Sequence, residues 1–377
     1  MGKKVLVGLS GGVDSAVAAL TLLESGYEVV AARMKVYSGP GQPGLLSGCY
    51  GRDDAEDLAS AAAMARRLGL PFREIDCSAA YRELVMDYFR AEYLAGRTPN
   101  PCVRCNQTVK FGAFLEAVRA QCGPNSAEPC GHHRSCDGER PLWGFDFFAT
   151  GHYARIEADP ISGEPTLKRG RDPKKDQSYF LYRLSREQLA RTLFPLGAMT
   201  KEEVRRRAAE HGLAVHDRPD SQDFYGGDYA DLLGEPDRPG NILDSAGRVL
   251  GRHRGFWRYT PGQRRGLGVT GPAPLYVLSI NAKRNEVVVG PAEENAFPGC
   301  LLADTNFLQP EPEPGTRLMA RMRSSQPLKE VIVGSRDAEG RLAVEFVQPM
   351  SGLAPGQSLV LYRDDAVVGG GVIGISA

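Results

Sequence analysis

The sequence predicts an α/β domain with a doubly wound, mostly parallel sheet, followed by a β-rich half that ends in a small β-barrel. Three observations carry this. The opening stretch KKVLVGLSGGVDSAVAALTLLESGYEVVAARM (Lys3–Met34) reads strand, glycine turn, helix, turn, strand. Apolar runs then keep alternating with helical periodicity as far as about residue 150, the signature of βαβ units. From Gly240 the texture changes to short β runs separated by Gly, Pro and Asn, the pattern of small barrels or half-barrels.

Taken in order, Val5–Leu9 and Glu28–Met34 are strands flanking a helix whose apolar faces carry Ala16, Val17, Ala19, Leu20 and Leu23. Asp53–Leu68 is the next helical stretch, and Pro71–Cys77 the next strand. Phe145–Thr150 is a further strand ending at Gly151-His152, and Gly123–Gly144 is dense in turn formers, an inserted loop. Helices follow at Ser185–Arg191 and Thr200–His211. The tail from Leu318 is again short β segments.

At 377 residues and 42% hydrophobic content, the chain has material for two or three domains. It lacks an apolar run of about 18 residues and a leader-like N-terminus, so the expectation is a cytoplasmic protein without a membrane partner. With 46 basic and 46 acidic residues there is no global charge argument for nucleic acid. Two basic clusters make a local one: Lys168–Lys175, and the run Arg248, Arg252, Arg254, Arg258, Arg264 and Arg265. The eight cysteines (Cys49, Cys77, Cys102, Cys105, Cys122, Cys130, Cys136 and Cys300) point to catalysis or metal rather than a disulfide framework.

Ser10-Gly11-Gly12-Val13-Asp14-Ser15 sits where a phosphate-binding loop belongs, between a strand and a helix. Gly11 and Gly12 permit close backbone approach, Ser10 and Ser15 offer hydroxyls, and Asp14 is a candidate Mg²⁺ ligand. The Walker lysine is missing, which argues against transfer of a γ-phosphoryl group. A lysine-free loop of this kind resembles that of the pyrophosphatase-loop ATPases, which cleave ATP between the α- and β-phosphates. They adenylate a carbonyl or carboxyl oxygen, so that a nitrogen or sulfur nucleophile can displace it. Downstream, AGRTPNPCVRCNQTVKFGAF places Cys102 and Cys105 as C-x-x-C, and the neighbouring Arg104 and Lys110 are expected to favour thiolate. No second cysteine pair follows at structural-zinc spacing.

With these motifs the chain resembles, over nearly its full length, the tRNA-specific 2-thiouridylases. GLSGGVDS (Gly8–Ser15), AGRTPNPCVRCNQTVKF (Ala95–Phe111), ATGHYARI (Ala149–Ile156), KKDQSYFLYRL (Lys174–Leu184), RPDSQDF (Arg218–Phe224), YTPGQRRGLG (Tyr259–Gly268) and PLYVLSINAKRNEVVVG (Pro274–Gly290) occur in the family's order. The resemblance implies an α/β plus β architecture. A doubly wound parallel-sheet ATP-pyrophosphatase domain spans residues 1–184, with an inserted loop at about 122–144; a small central tRNA-contacting domain spans 185–265; a C-terminal β-barrel spans 266–377. It further implies that Gly8, Leu9, Ser10, Gly11, Gly12, Val13, Asp14, Ser15, Met34 and Gly151 bind ATP, Met34 against the adenine. Asn100, Pro101 and Cys102 match the segment that meets the target base, and Lys175, Asp176, Gln177 and Arg323 match tRNA contacts. Cys105 matches the cysteine that carries or transfers sulfur. The implied reaction adenylates O2 of the wobble uridine of tRNA and then replaces AMP with sulfur, which comes from a relay protein, a cysteine desulfurase or sulfide.

The family's usual second cysteine, shortly after the D-S-Q motif, is absent: the text is RPDSQDFYGGDY, with Tyr225 in its place. Three readings stand open. Cys102 and Cys105 with a third cysteine ligate a [4Fe-4S] cluster; the C-x-x-C pair alone forms and resolves a persulfide; or the chain is a paralogue. That paralogue either thiolates another nucleotide or small molecule or binds tRNA without catalysis. Cys49 and the insertion residues Cys122, Cys130, His132, His133 and Cys136 are further thiol or metal candidates, whereas Cys77 and Cys300 read as packed strand-end residues. His152 reads equally as a nucleotide-orienting or a structural histidine, and Asp220 and Gln222 as candidates for shaping the transfer loop.

Overall fold

The computed structural model describes residues 2–39, 49–50, 55–122, 143–213 and 224–374. Cys130, His132, His133, Cys136, Asp220 and Gln222 lie outside the described residues. The chain gathers into two compact units, Met1–Leu84 with Cys102–Gly226, and Val85–Pro101 with Gly227–Ala377.

In chain order the first half runs β1 (Lys4–Gly8), α1 (Val13–Glu24), β2 (Glu28–Lys35), α2 (Ala55–Arg67), β3 (Phe72–Asp76), α3 (Ser78–Tyr81) and α4 (Asp87–Leu94). It continues with α5 (Pro101–Cys105), a π-helical stretch (Asn106–Ala113), α6 (Phe114–Cys122) and β4 (Phe147–Ala149). The hairpin of β5 (Ala154–Ala158) and β6 (Pro165–Arg169) follows, then α7 (Arg186–Ala190), β7 (Thr192–Leu193) and α8 (Lys201–Glu210).

In the first unit β3, β2, β1, β4 and β7 form one parallel sheet in that order. Its central strand is a continuous apolar run, Val5-Leu6-Val7, fully buried because parallel strands are covered on both faces. Ala16, Ala18 and Ala19 are completely buried within α1, small enough to bring that helix close to the strands beside Val5, Val7 and Ala31. Strand order reverses across β1, with β2 and β3 on one side and β4 and β7 on the other. The crevice beyond the carboxyl ends of β1 and β4 is therefore the switch point at which such sheets bind ligands.

By contacts this unit runs on to Gly226, past the boundary at 184–185 expected from the sequence. The physical reason is that β7 extends the parallel sheet and α8 packs on α1. Both following helices start at capping boxes, Ser185 with Gln188 and Thr200 with Glu203, each pair satisfying two backbone donors.

The second unit begins with α4, whose Phe89 and Tyr93 rings meet Tyr229 in α9 (Tyr229–Leu233). After α4, Thr98 and Pro99 offer their carbonyls to Gln357 at 3.1 and 2.9 Å, and the Thr98 amide donates to Pro355 at 2.7 Å. These bonds tie 85–101 to a distant part of the sequence. Strands β8 (Gly240–Leu243), β9 (Val249–His253), β10 (Tyr276–Asn281) and β11 (Glu286–Gly290) make a four-stranded sheet in the order β10-β11-β8-β9. Finally β12 (Ala296–Phe307), β13 (Arg317–Arg321), β14 (Lys329–Arg336), β15 (Leu342–Ser351), β16 (Ser358–Arg363) and β17 (Ala366–Ile373) follow the order β12-β15-β14-β13-β16-β17, and β12 pairs with β17. That pairing closes a six-stranded barrel. Leu302, Val331, Val344, Leu359 and Leu361 fill its core. Cys77 is buried just past the end of β3, as expected of a packed strand-end residue, whereas Cys300, expected to be the same, is buried in the middle of the long strand β12. Among the described residues no helix is long and apolar enough to cross a membrane.

Leu361→Ala removes a fully buried barrel side chain and should cost about 2–5 kcal/mol in the second unit's urea unfolding. Val249→Ala, at a side chain 60% exposed, should leave that transition within about 0.5 kcal/mol of the original.

Candidate functional site

The turn after β1 is held by its own hydroxyls. The Ser10 amide donates to Ser15 Oγ at 3.1 Å, the two hydroxyls lie 3.2 Å apart, and Ser15 Oγ donates to the Gly12 carbonyl at 3.1 Å. Ser15 thus braces the loop as the structure stands. Gly11 has φ of +85°, and a Cβ there would lie 2.8 Å from the Asp57 carbonyl oxygen. Only glycine lets this turn lie against α2, where Ser60 Oγ also bonds the Gly11 carbonyl at 3.0 Å. Helix α1 begins directly behind the turn, with no side-chain cap at Gly12, so its amino end faces the position where phosphates are expected.

Gly151 follows β4 and lies against that same first helical turn. A Cβ there would lie 2.8 Å from the Asp14 carbonyl carbon and 2.9 Å from the Ser15 nitrogen. The ends of β1 and β4 and the start of α1 are thereby locked into one rim. Gly8 closes β1, and Met34, half-buried on β2 opposite Ile75, sits near the same carboxyl edge. The structure so brings the sequence-predicted nucleotide residues onto one edge of one sheet.

Asp14 has company that the sequence did not reveal. Lys201, at the start of α8, donates from Nζ to both carboxylate oxygens at 2.7 and 2.9 Å. Tyr153 Oη donates to Asp14 Oδ1 at 2.8 Å, and its ring lies 5.9 Å from the Lys201 ammonium. The lysine side chain is 6% exposed and the carboxylate 31%. Asp172 accepts from the Lys201 amide at 3.0 Å, which fixes the root of the side chain. Asp14, expected to hold Mg²⁺, is engaged on both oxygens by a protein cation.

Cys102 and Cys105 lie one turn apart on α5, Cys102 half-buried and Cys105 buried. The π-helical stretch that follows is held by the Lys174–Leu184 motif and the helix after it. Asn106 Nδ2 donates to the Phe180 carbonyl at 3.1 Å, Arg183 Nε to Gln107 Oε1 at 2.9 Å, and Gln188 Nε2 to the Phe111 carbonyl at 2.9 Å. Widened turns of this kind recur at functional sites.

The thiolate expected at Cys105 is not what its surroundings favour. Burial pushes this thiol up to about 12, and the opposing pull of Lys110 is smaller. Arg104 directs Nε to the Leu84 carbonyl at 3.2 Å. Neighbouring thiols at Cys49 and Cys77 raise Cys105 further.

Cys49, from a separate segment, is one of the thiols that act on Cys105. Its amide and that of Tyr50 donate to the Phe224 carbonyl at 3.0 and 2.9 Å, with Sγ 3.7 Å from the same oxygen. A cysteine is thus hydrogen-bonded to the segment where the family's usual second cysteine is absent. Tyr81 stacks on Tyr50 at 5.4 Å and is itself fully buried. Burial first, then the thiols Cys49, Cys105 and Cys102, holds the Tyr81 hydroxyl well above the usual phenol range. Among the described residues no three His, Cys, Asp or Glu side chains converge as a ligand set for one metal ion. Neither Mg²⁺ nor an iron–sulfur cluster meets a preformed protein cage among them.

The expected tRNA-contacting residues are shared between the two units. Asp176 is buried and accepts from Arg169 Nε at 3.2 Å, Gly170 N at 3.0 Å and Ser178 N at 3.1 Å. Gln177 Oε1 accepts from the Tyr153 amide at 2.9 Å. Both side chains therefore shape the loop around half-buried Lys175. Asn100 and Pro101 end the second unit's 85–101 segment, and Arg323 is exposed in that unit. His152 is packed in place: Nδ1 lies 2.6 Å from Thr150 Oγ1, Phe111 and Phe194 pack on its ring, and burial holds it well below its ordinary value.

A parallel sheet with a lysine-free glycine loop at its switch point, joined to a second unit that ends in a closed barrel, defines a nucleotide-binding enzyme of the HUP type. Three family models cover the chain: a tRNA methyl transferase HUP domain over residues 3–139 and 138–225, a tRNA methyl transferase PRC-barrel domain over 233–291, and an aminomethyltransferase beta-barrel domain over 298–373. Full-length relatives are more specific. The tRNA-specific 2-thiouridylase MnmA of Endomicrobium trichonymphae is 42% identical, covering 98% of each chain. That of Geotalea uraniireducens is 40% identical over 98% of this chain and 95% of its own. The chain belongs to the tRNA-specific 2-thiouridylase family.

Gly151→Ala should drive β4 away from the first turn of α1 and weaken ATP binding at least tenfold, measured by calorimetric titration of the nucleotide. For Cys105, raised to about 12, alkylation in the free chain should climb about tenfold per pH unit and still be rising at pH 10, read by mass spectrometry. An ordinary exposed thiol levels off above pH ~9.

Proposed function

We propose that the chain is an ATP-dependent tRNA uridine 2-sulfurtransferase acting on the wobble uridine. The observation that carries this reading is that a glycine loop fit for polyphosphate and a C-x-x-C helix lie in one compact unit. That unit belongs to a chain matched end to end by 2-thiouridylases. Uracil O2 attacks the α-phosphorus; its bond to the bridging oxygen breaks, and pyrophosphate departs into the loop of Ser10–Ser15. Carbon C2, activated by the adenylate on its oxygen, then accepts sulfur and AMP leaves with that oxygen. The tRNA contacts at Lys175 and Arg323 are part of the proposal. An extruded base suits it, because C2 must reach the thiols.

Sulfur arrives by thiol chemistry within the C-x-x-C pair. Cys105, once deprotonated, takes the outer sulfur of a donor persulfide, and the donor leaves as a thiolate. The new outer sulfur attacks C2 and expels AMP. Cys102 then attacks Cys105 Sγ, leaving sulfur on C2 and a Cys102–Cys105 disulfide, which a cellular thiol reductant reopens. The donor is a relay protein, a cysteine desulfurase or sulfide; with sulfide, an oxidant must also form the persulfide. Raised by burial, Cys105 stays protonated and unreactive until donor or substrate alters its surroundings. Cys49 is the alternative resolving thiol, favoured by its hydrogen bonds to Phe224. A cluster route would need a third thiolate beside Cys102 and Cys105.

Unmodified tRNA, ATP and a persulfide donor should yield 2-thiouridine with stoichiometric AMP and pyrophosphate. Cys105→Ser should abolish thiolation while tRNA-dependent AMP formation persists. Cys102→Ser should stall at a tRNA-linked disulfide, and normal turnover by that variant with loss in Cys49→Ser would move the resolving step to Cys49. Absence of AMP and pyrophosphate from wild type would overturn the reading.

A further inference from the structure

The glycine loop lacks the lysine that phosphate loops ordinarily carry, and its first helical turn holds an acid instead. An acid at that position opposes a polyphosphate, since like charges at close range are costly in a partly desolvated site. The structure supplies the cancelling charge from elsewhere. Lys201 Nζ lies 2.7 and 2.9 Å from the two Asp14 oxygens, although the residues are 187 positions apart.

We propose that Lys201 is the cation of this loop, neutralising Asp14 in the free chain and holding pyrophosphate when it forms. The assignment rests on the reading above that the loop receives the phosphates of ATP. Three independent attachments place the ammonium. The capping box of Thr200 and Glu203 sets the start of α8, Asp172 fixes the Lys201 amide, and the Tyr153 ring flanks the ammonium while its hydroxyl bonds Asp14. A surface ion pair does not need such a frame, and this lysine is buried to 6% exposure. Asp14 is accordingly the rest position of the loop's cation rather than a preformed divalent-ion ligand. When an anion enters at the amino end of α1, the ammonium exchanges part of its carboxylate contact for phosphate oxygens. Lysine suits this exchange because it is a flexible point charge.

The test is calorimetric binding of inorganic pyrophosphate to the full chain in EDTA, free of divalent ions, with folding checked by circular dichroism. Lys201→Met should weaken binding at least tenfold, about 1.4 kcal/mol, and Lys201→Arg should recover part of it. Asp14→Asn should tighten binding, because it releases the cation and removes an opposing charge. A merely structural ion pair would weaken binding in Asp14→Asn and Lys201→Met alike, and that result overturns the assignment, as does unchanged affinity in Lys201→Met. If Lys201→Met does not fold, Asp14→Asn decides by the sign of its effect. Wild type that binds ATP with Mg²⁺ but not metal-free pyrophosphate overturns the role of Lys201 alone. Wild type that binds neither overturns the loop reading as well.

Discussion

Two backbone approaches leave no room for a side chain, and the nucleotide edge of the first unit depends on them. Gly11 puts its turn against α2, and Gly151 puts the end of β4 against the first turn of α1. A Cβ at either place would lie 2.8 Å from backbone atoms, which cannot rotate away as a side chain can. The rim is therefore set by main chain, and main chain positions donors more rigidly than any loop side chain. Braced by Ser15 from within, the loop need not be organised by its ligand, so less binding energy goes into ordering it.

The sulfur side of the unit follows the opposite rule. Cys105 is buried, and burial together with the nearby Cys49 and Cys77 thiols raises it, while Cys49, Cys105 and Cys102 in turn raise the buried Tyr81 hydroxyl. A resting thiol of this kind resists adventitious oxidation and alkylation, which follow thiolate character. Its activation must come from something that changes its solvation or charge. Lys110 already pulls in that direction, but burial outweighs it.

Much of the fold was readable from the sequence because it rests on short-range pattern. The strands β1 to β4 and helices α7 and α8 fall where apolar runs and capping residues place them. The barrel tail was readable as short strands, though its closure through β12 and β17 was not, since pairing partners leave no local signal. The unit boundary at Gly226 was missed for a related reason. A two-residue strand, Thr192–Leu193, is too short to register as periodicity, yet it extends the sheet. For Cys105, neighbouring basic residues in sequence suggested thiolate, but side-chain charge acts through space and burial outweighs it.

Lys201 shows most clearly where sequence reasoning stops. MTKEEV reads as a helix start, and the capping box confirms that reading in full. Nothing in those letters says that the first helical residue will have its ammonium on a carboxylate in α1. The signal that could have found it was negative, a phosphate loop with an acid and no base. Charge balance in a partly buried site requires a counter-cation, and the chain holds 46 basic residues from which to choose. Topology makes the choice: β7 lies beside β4, so α8 returns along α1 and brings its first residue to the loop. Parallel α/β architecture thus lets a loop's chemistry be completed by a helix encoded 187 residues away.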